Sequence, residues 1–403
     1  MLELVLPLLA CLSLSPPSRA PRLAPRVGRL NDEGTQRALV ECPTPGCNTA
    51  LRPGKLAAHL LRCPVLEAQR ELEASGYWIG GVNTGRGEVT DEDTWAPIMM
   101  NSEAAFQLEE RIGKAHTSCL GSALMHTAAT ADEADTTGVG VNERKRERHR
   151  AQRDVIVHEL HKLGVIGQGH CIVEFGAGNG ELSLAIAEAY PEACMRDALV
   201  LLDQGAKPRG KSGHGKLAAD AALEQSWARF ARVKLGIEDV DLAGIRATLA
   251  PNRTLVVIAK HLCGAASDFA LRAVVAAGTS AASRPAAVVL GTCCHHRCDW
   301  AAYPNRPLLQ DVLGSGEPFG GADFNLLCRL SSRGVNAVDL SPRAYAGRRA
   351  KDLLDHGRAA YLQQAGFDAR LTTYVDASVT PENVLVVAKD ITSRADGVRK
   401  RYM

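Results

Sequence analysis

A chain of 403 residues, 46% hydrophobic, has room for a sizeable catalytic core and accessory segments. Its 47 basic residues nearly balance 45 acidic ones, leaving +2, so bulk charge does not announce a nucleic-acid binder and any such surface must be local. Among the 12 cysteines, Cys42, Cys47 and Cys63 form one group and Cys293, Cys294 and Cys298 another, a distribution that suits metal or site chemistry in a reducing compartment better than a secreted disulfide framework.

Residues 1–38 read as a Pro/Arg-rich leader. Leu4 to Leu14 is a short apolar run, but Glu3 precedes it where a secretory signal needs a basic residue, so an organelle transit segment or a misread start codon fits as well. No other apolar stretch approaches the ~20 residues of a membrane helix, and no membrane partner is expected. Residues 39–66 form a compact Cys/His unit. Residues 67–165 are expected to be a mostly helical connector, broken near Thr136 to Val141 and carrying the basic run Glu143 to Arg150.

Residues 166–403 alternate buried strands with amphipathic helices. Apolar runs at Cys171–Phe175, Ala198–Asp203, Arg232–Leu235, Thr254–Ala259 and Ala286–Gly291 are strands, with helices over Leu182–Ala189, 217–230 and Ser267–Ala277. A last helix, Ala344–Ala365, precedes strands at Ala369–Val375 and Asn383–Ala388. The stretch joining those two strands is too short for a crossover helix, so they pair antiparallel. Five parallel strands and a terminal hairpin give an α/β class: a seven-stranded Rossmann-like methyltransferase sheet, with a small N-terminal finger and a helical connector.

Glu174-Phe-Gly-Ala-Gly-Asn-Gly180 lies at a strand-to-helix turn, where Gly176, Gly178 and Gly180 let the backbone turn sharply and approach a ligand. Glu174 offers a carboxylate to a cofactor amino group, and Asp203 ends the second strand where an acid binds both ribose hydroxyls. S-adenosylmethionine carries no phosphate, which agrees with the missing Lys and Ser/Thr of a phosphate loop. Glu238 and Asp239, after the third strand, could contact adenine or face solvent.

Ligands in open parallel sheets bind beyond the strands' C-terminal ends. There lie Lys260-His-Leu-Cys-Gly264 and Cys293-Cys-His-His-Arg-Cys-Asp-Trp300. Lys260 could stabilise a developing alkoxide, His295 or His296 could take a proton, and the Cys/His set could hold a metal. At the other end of the chain, Cys42, Cys47, His59 and Cys63 have spacings that close a tetrahedral zinc site. His59 and Cys63 share one face of a helix over Pro53–Arg62, with Leu56 and Leu60 beneath. So small a unit has no core, and metal binding would supply its folding energy.

The combination resembles the eukaryotic tRNA 2′-O-methyltransferases that modify the fourth nucleotide of the acceptor stem. The resemblance rests on the Cys/His finger, Gly76–Gly85, the Glu-Phe-Gly-Ala-Gly turn, Lys-His-Leu-Cys-Gly and Cys-Cys-His-His-Arg-Cys-Asp-Trp. Arg349–Arg358 and Pro381-Glu-Asn-Val-Leu complete it. It spans residue 40 to the end and implies methyl transfer from S-adenosylmethionine to a ribose 2′-hydroxyl, with zinc in the finger, tRNA as partner and a cytoplasmic or nuclear location. Three departures stand out: the family's additional upstream finger is missing, Cys47 replaces a common His, and Gln204 stands where a basic residue is usual. The alternative is a related methyltransferase acting on a small molecule or a protein side chain.

For an RNA backbone, local basic clusters are the expected contacts: Lys145 to Arg153, Lys207 to Lys211 with Lys216, Arg343 to Lys351, and the Arg399-Lys-Arg tail.

Overall fold

A segment too short to enclose a core of its own must fold around something else. The N-terminal segment is built that way. The computed structural model describes residues 39–44, 47–89, 102–120, 141–205, 218–314, 316, 318–336 and 339–392. The leader, the connector break before Val141, the Lys207–Lys216 cluster, the Lys145 side chain and the Arg399–Arg401 tail lie outside them. The chain divides into two units, Met1–Arg70 and Glu71–Met403.

In the first unit, β1 (Val40–Glu41) pairs antiparallel with β2 (Ala50–Leu51). The single helix expected over Pro53–Arg62 is instead a 3₁₀ turn at Pro53–Lys55 followed by α1 (Leu56–Leu60). The helix α2 (Pro64–Ala74) begins directly after Cys63, where Pro64 suits a first helical position. Leu60, with Val65 and Leu66, packs against the cysteines, whereas Leu56 does not join them.

In the second unit the helical connector appears as α3 (Ser102–Leu120) and α4 (Val141–Leu163). Then come β3 (Cys171–Phe175), α5 (Glu181–Ala189), α6 (Pro191–Cys194), β4 (Ala198–Leu202), α7 (Ala218–Ser226), β5 (Arg229–Val233) and α8 (Leu242–Thr248). The chain continues through β6 (Leu255–Cys263), α9 (Ala265–Ala277), β7 (Ala287–Cys293), α10 (Arg306–Leu313), α11 (Gly321–Ser331) and α12 (Pro342–Gln364). It closes with β8 (Phe367–Thr373) and β9 (Val384–Asp390). The sheet order is β5-β4-β3-β6-β7-β9-β8, parallel through β7 and antiparallel on both sides of β9. The expected five parallel strands and terminal hairpin are therefore present.

Strands buried on both faces need no polar alternation. Val173, Val200, Val257 and Val288 belong to the core on one face, and Ile172, Leu199, Val256 and Val289 to the core on the other. β5 begins three residues before the expected Arg232, because an edge strand with partly exposed side chains carries a weak apolar signal. The helices α10 and α11 had no counterpart in the sequence reading. With α3 and α12 they enclose a third core containing Trp300, Tyr303, Phe319 and Phe324.

Strand order reverses between β3 and β6. Chains leave these neighbours toward opposite sides, so a crevice opens beyond their C-terminal ends. Glu174 and the glycine turn end β3, and Lys260 lies near the end of β6.

Candidate functional site

The glycine turn has the backbone its composition demanded: Gly176, Gly178 and Gly180 all adopt left-handed φ, at 60°, 51° and 76°. Space beside Gly178 is open, whereas a Cβ on Gly180 would press on Leu201 and Leu223 at 3.0 Å. Asp203, at the end of β4, accepts the Gly178 amide at 2.8 Å and the Gly205 amide at 2.7 Å. Its carboxylate thus braces the turn. A carboxylate has about four lone-pair sites, so two amides leave capacity for a diol.

Glu174 is buried and accepts both the Ser183 hydroxyl and its backbone amide. Burial pushes its carboxyl up to about 7, against those hydrogen bonds and the nearby charges of Arg232 and Lys260. After β5, the turn Ile237–Asp239 divides its two acids. Gln204 donates to Glu238 at 2.6 Å beside Asp203, while Asp239 accepts the Gly81 amide at 2.6 Å. The segment Gly76–Gly85 is fastened there, with Asn83 donating to the Ile237 and Val240 carbonyls, both at 2.9 Å.

The reacting end depends on an irregularity. Ala259 pairs with Leu290, but Leu262 pairs with Thr292, so β6 carries one extra residue at Lys260-His261. The bulge aims both side chains toward α4. Lys260 Nζ lies 3.1 Å from His149 Nδ1, and His261 Nε2 lies 3.1 Å from Gln152 Oε1. Burial, then the Arg153 charge, lowers the Lys260 pKa, and burial with Lys260 and His149 takes His261 down to about 4. Arg153 pairs with Glu181 at 2.6 Å, and α4 exposes Arg146 and Arg150 on one side and Arg148 on another. A Cβ on Gly176 would meet Leu262 at 3.2 Å and the His261 carbonyl at 3.6 Å, so the glycine turn and the bulge adjoin.

The structure redirects His295. It is 2% exposed, with Nε2 3.0 Å from Asp355 and Nδ1 3.6 Å from Glu382. Burial opposes its charge, but the Asp355 charge and hydrogen bond, with the nearby Glu382 carboxylate, outweigh it and push its pKa up to about 9. A buried imidazolium between two carboxylates has no lone pair to accept a proton near pH 7, so the expected proton-taking role does not suit it. His296 is exposed on the same loop.

His295 belongs to a network that sequence reasoning missed. Thr292 donates to Asp355 at 2.9 Å, Lys351 pairs with Glu382 at 2.9 Å, and Arg358, wholly buried, reaches Asp355 at 2.9 Å and Asp268 at 2.8 Å. Lys351, Asp355 and Arg358 recur along one face of α12 at helical spacing, a polar stripe that the sequence displays inside its Arg349–Arg358 motif. Arg348 is likewise spent internally, on the Asn336 and Asp339 carbonyls, so of the expected Arg343–Lys351 cluster Arg343 and Arg349 remain exposed.

In the N-terminal unit, one ligand atom from each of Cys42, Cys47, His59 and Cys63 lies within 4.8 Å of the others. Cys42 Sγ is 3.9 Å from Cys63 Sγ, and Cys47 Sγ is 3.4 Å from His59 Nε2. Among the described residues of this unit, the three cysteines alone are buried. Soft donors occupy the place of a core, a set that fits tetrahedral zinc.

A family model described as "Methyltransferase TRM13" matches residues 151–339 and 333–389. The chain is 26% identical over 406 residues to "tRNA:m(4)X modification enzyme TRM13" of Yarrowia lipolytica, covering 88% of this chain and 82% of that protein. It is also 26% identical over 447 residues to the "tRNA:m(4)X modification enzyme TRM13 homolog" of Mus musculus, covering 90% and 88%. Among solved structures, the plantazolicin methyltransferase BpumL in complex with SAH aligns at 10% identity and a TM-score of 0.30, over 72% of this chain and 98% of that one.

Proposed function

Because this chain belongs to the TRM13 methyltransferase family, we propose that it methylates a ribose 2′-hydroxyl at position 4 of the tRNA acceptor stem, using S-adenosylmethionine. The observation that carries the reading is the Lys260 bulge: one half-buried ammonium adjoins the glycine turn and bonds to His149 of an arginine-lined helix. Chemistry and RNA contact thereby meet at one point.

S-adenosylmethionine, when bound, supplies an electrophilic sulfonium methyl. Asp203 binds the ribose hydroxyls, and Glu174, Gly176, Gly178 and Gly180 line the methionine side. Glu238 lies at the adenosine side beside Gln204, with Asp239 bracing the Gly76–Gly85 segment behind it. A ribose hydroxyl is a weak nucleophile, so much of the rate comes from alignment in a site that excludes water. Lys260 would stabilise the negative charge that builds on the 2′-oxygen as its proton departs to bulk water at the rim, a charge consumed as the oxygen–methyl bond forms and the methyl–sulfur bond breaks. His149 holds the ammonium in place and His296 stands at the rim, while His295 acts indirectly by bracing the loop through Asp355 and Glu382.

Arg146 and Arg150, four residues apart on one side of α4, meet backbone phosphates. An A-form stem, read by shape and phosphates, suits such a helix face. In the N-terminal unit Cys42, Cys47, His59 and Cys63 hold zinc, which folds that unit as a second RNA contact.

Incubation with methyl-labelled S-adenosylmethionine and, separately, total tRNA, total protein and a small-molecule extract tests the proposal. Label should enter tRNA at nucleotide 4 and survive as an alkali-resistant dinucleotide. Label in protein or small molecules, or an alkali-labile product, would overturn it.

A further inference from the structure

Cys263 drew no attention in the sequence as one residue of a motif, yet the fold carries it to the second cysteine group. We infer that Cys263, Cys293 and Cys294 form a second zinc site, distinct from the N-terminal unit, with one coordination position left to solvent. The three Sγ atoms all lie within 4.8 Å of one another, with Cys263 and Cys293 at 3.2 Å. Tetrahedral zinc with bonds of about 2.3 Å sets its sulfurs about 3.8 Å apart, whereas a disulfide needs about 2.05 Å. Thiolate donors select thiophilic ions, and three protein ligands with an open fourth position is the arrangement of zinc sites that retain a water.

The backbone is committed to this convergence. After the β6 bulge the register resumes with Cys263 directly opposite Cys293, and the Gly264 amide donates to the Cys293 carbonyl at 2.9 Å. Gly264 has φ 57°, and a Cβ there would collide with the Arg297 carbonyl, so the two loops can approach this closely only through glycine. Cys294 adopts φ 51°, a left-handed conformation that is strained for a non-glycine residue and persists where surroundings impose it. That turn brings the side chains of adjacent cysteines together toward Cys263. Cys298, the third cysteine of the sequence cluster, is excluded: the Arg358 guanidinium donates to its sulfur at 3.1 Å.

Metal content of the full-length protein tests this without reference to methyl transfer. Elemental analysis and native mass spectrometry should find two zinc ions per chain. A Cys42→Ser/Cys63→Ser variant should keep one, and adding Cys294→Ser should remove it. In the wild-type protein, Cys263, Cys293 and Cys294 should resist alkylation until a chelator is added. A single zinc in the wild-type chain, a zinc-free finger variant that still melts cooperatively, or a Cys263–Cys293 disulfide in peptide mapping would overturn the assignment.

Discussion

Replacing His295 by Asn removes the cation between Asp355 and Glu382 while keeping a polar side chain of similar reach. Both carboxylates are buried, and Asp355 is held well below its usual range, with Glu382 at about 2, by His295 together with Arg358 and Lys351 respectively, against burial. Breaking a buried pair by removing one partner costs about 3–5 kcal/mol. The pKa shift gives the same scale. His295 rises from 6.5 to about 9, and at about 1.4 kcal/mol per unit this amounts to roughly 3 kcal/mol. With an unfolding entropy of about 2.1 cal/mol/K per residue over roughly 300 residues, the melting temperature should fall by about 5–8 °C.

The sign of the pH dependence follows from the raised pKa. The contribution of His295 is fully present below 6.5 and is lost as pH rises through about 9. Glu382, depressed to about 2, contributes above 4.5 and loses that contribution as pH falls through about 2. Thermal melts of wild type and His295→Asn at pH 7 and pH 10 should show a wide gap at pH 7 that narrows by pH 10. Equal melting temperatures at pH 7 with a large loss of turnover would refute the argument and return His295 to the chemistry.

Asp203→Ala should weaken S-adenosylmethionine binding by roughly 10²- to 10⁴-fold in titration calorimetry, from two lost charge-assisted hydrogen bonds at about 1.5–3 kcal/mol each. It should also lower stability, because the Gly178 and Gly205 amides lose their acceptor; unchanged affinity would place the ribose contact elsewhere. Lys260→Ala should slow single-turnover methylation of a tRNA transcript about 10²- to 10⁴-fold with tRNA and cofactor still bound. Lys260→Arg should recover little, since a planar guanidinium does not replace a compact ammonium at a point contact; a near-normal rate for Lys260→Ala would remove it from the chemistry. Cys63→Ser should cost the protein one zinc ion and weaken tRNA binding while leaving cofactor affinity intact. Full retention of zinc in that variant would leave the N-terminal cysteines without a metal.

The five parallel strands, the antiparallel closing pair and the position of the glycine turn were legible in the chain because each rests on local physics, whereas the order of the strands in the sheet was not. Unbroken apolar runs mark doubly buried strands, glycines mark left-handed turns, and a hairpin too short for a crossover must be antiparallel. Asp203 was recognisable for the same reason, by its place at a strand end, but its bond to the Gly178 amide joins positions 25 residues apart and needed the folded turn to appear. The tertiary structure alone decided which polar residues touch. His149 and Gln152 meet Lys260 and His261 across more than 100 residues, through a bulge that no sequence periodicity records. His295 and Cys298 read like site residues beside Cys293, yet packing turns them toward Asp355 and Arg358 and brings Cys263 in their place. Residue type and spacing set what a segment can form. Burial and the partner that reaches it decide whether a histidine is a base or a buried cation, and whether a cysteine is a ligand or a hydrogen-bond acceptor.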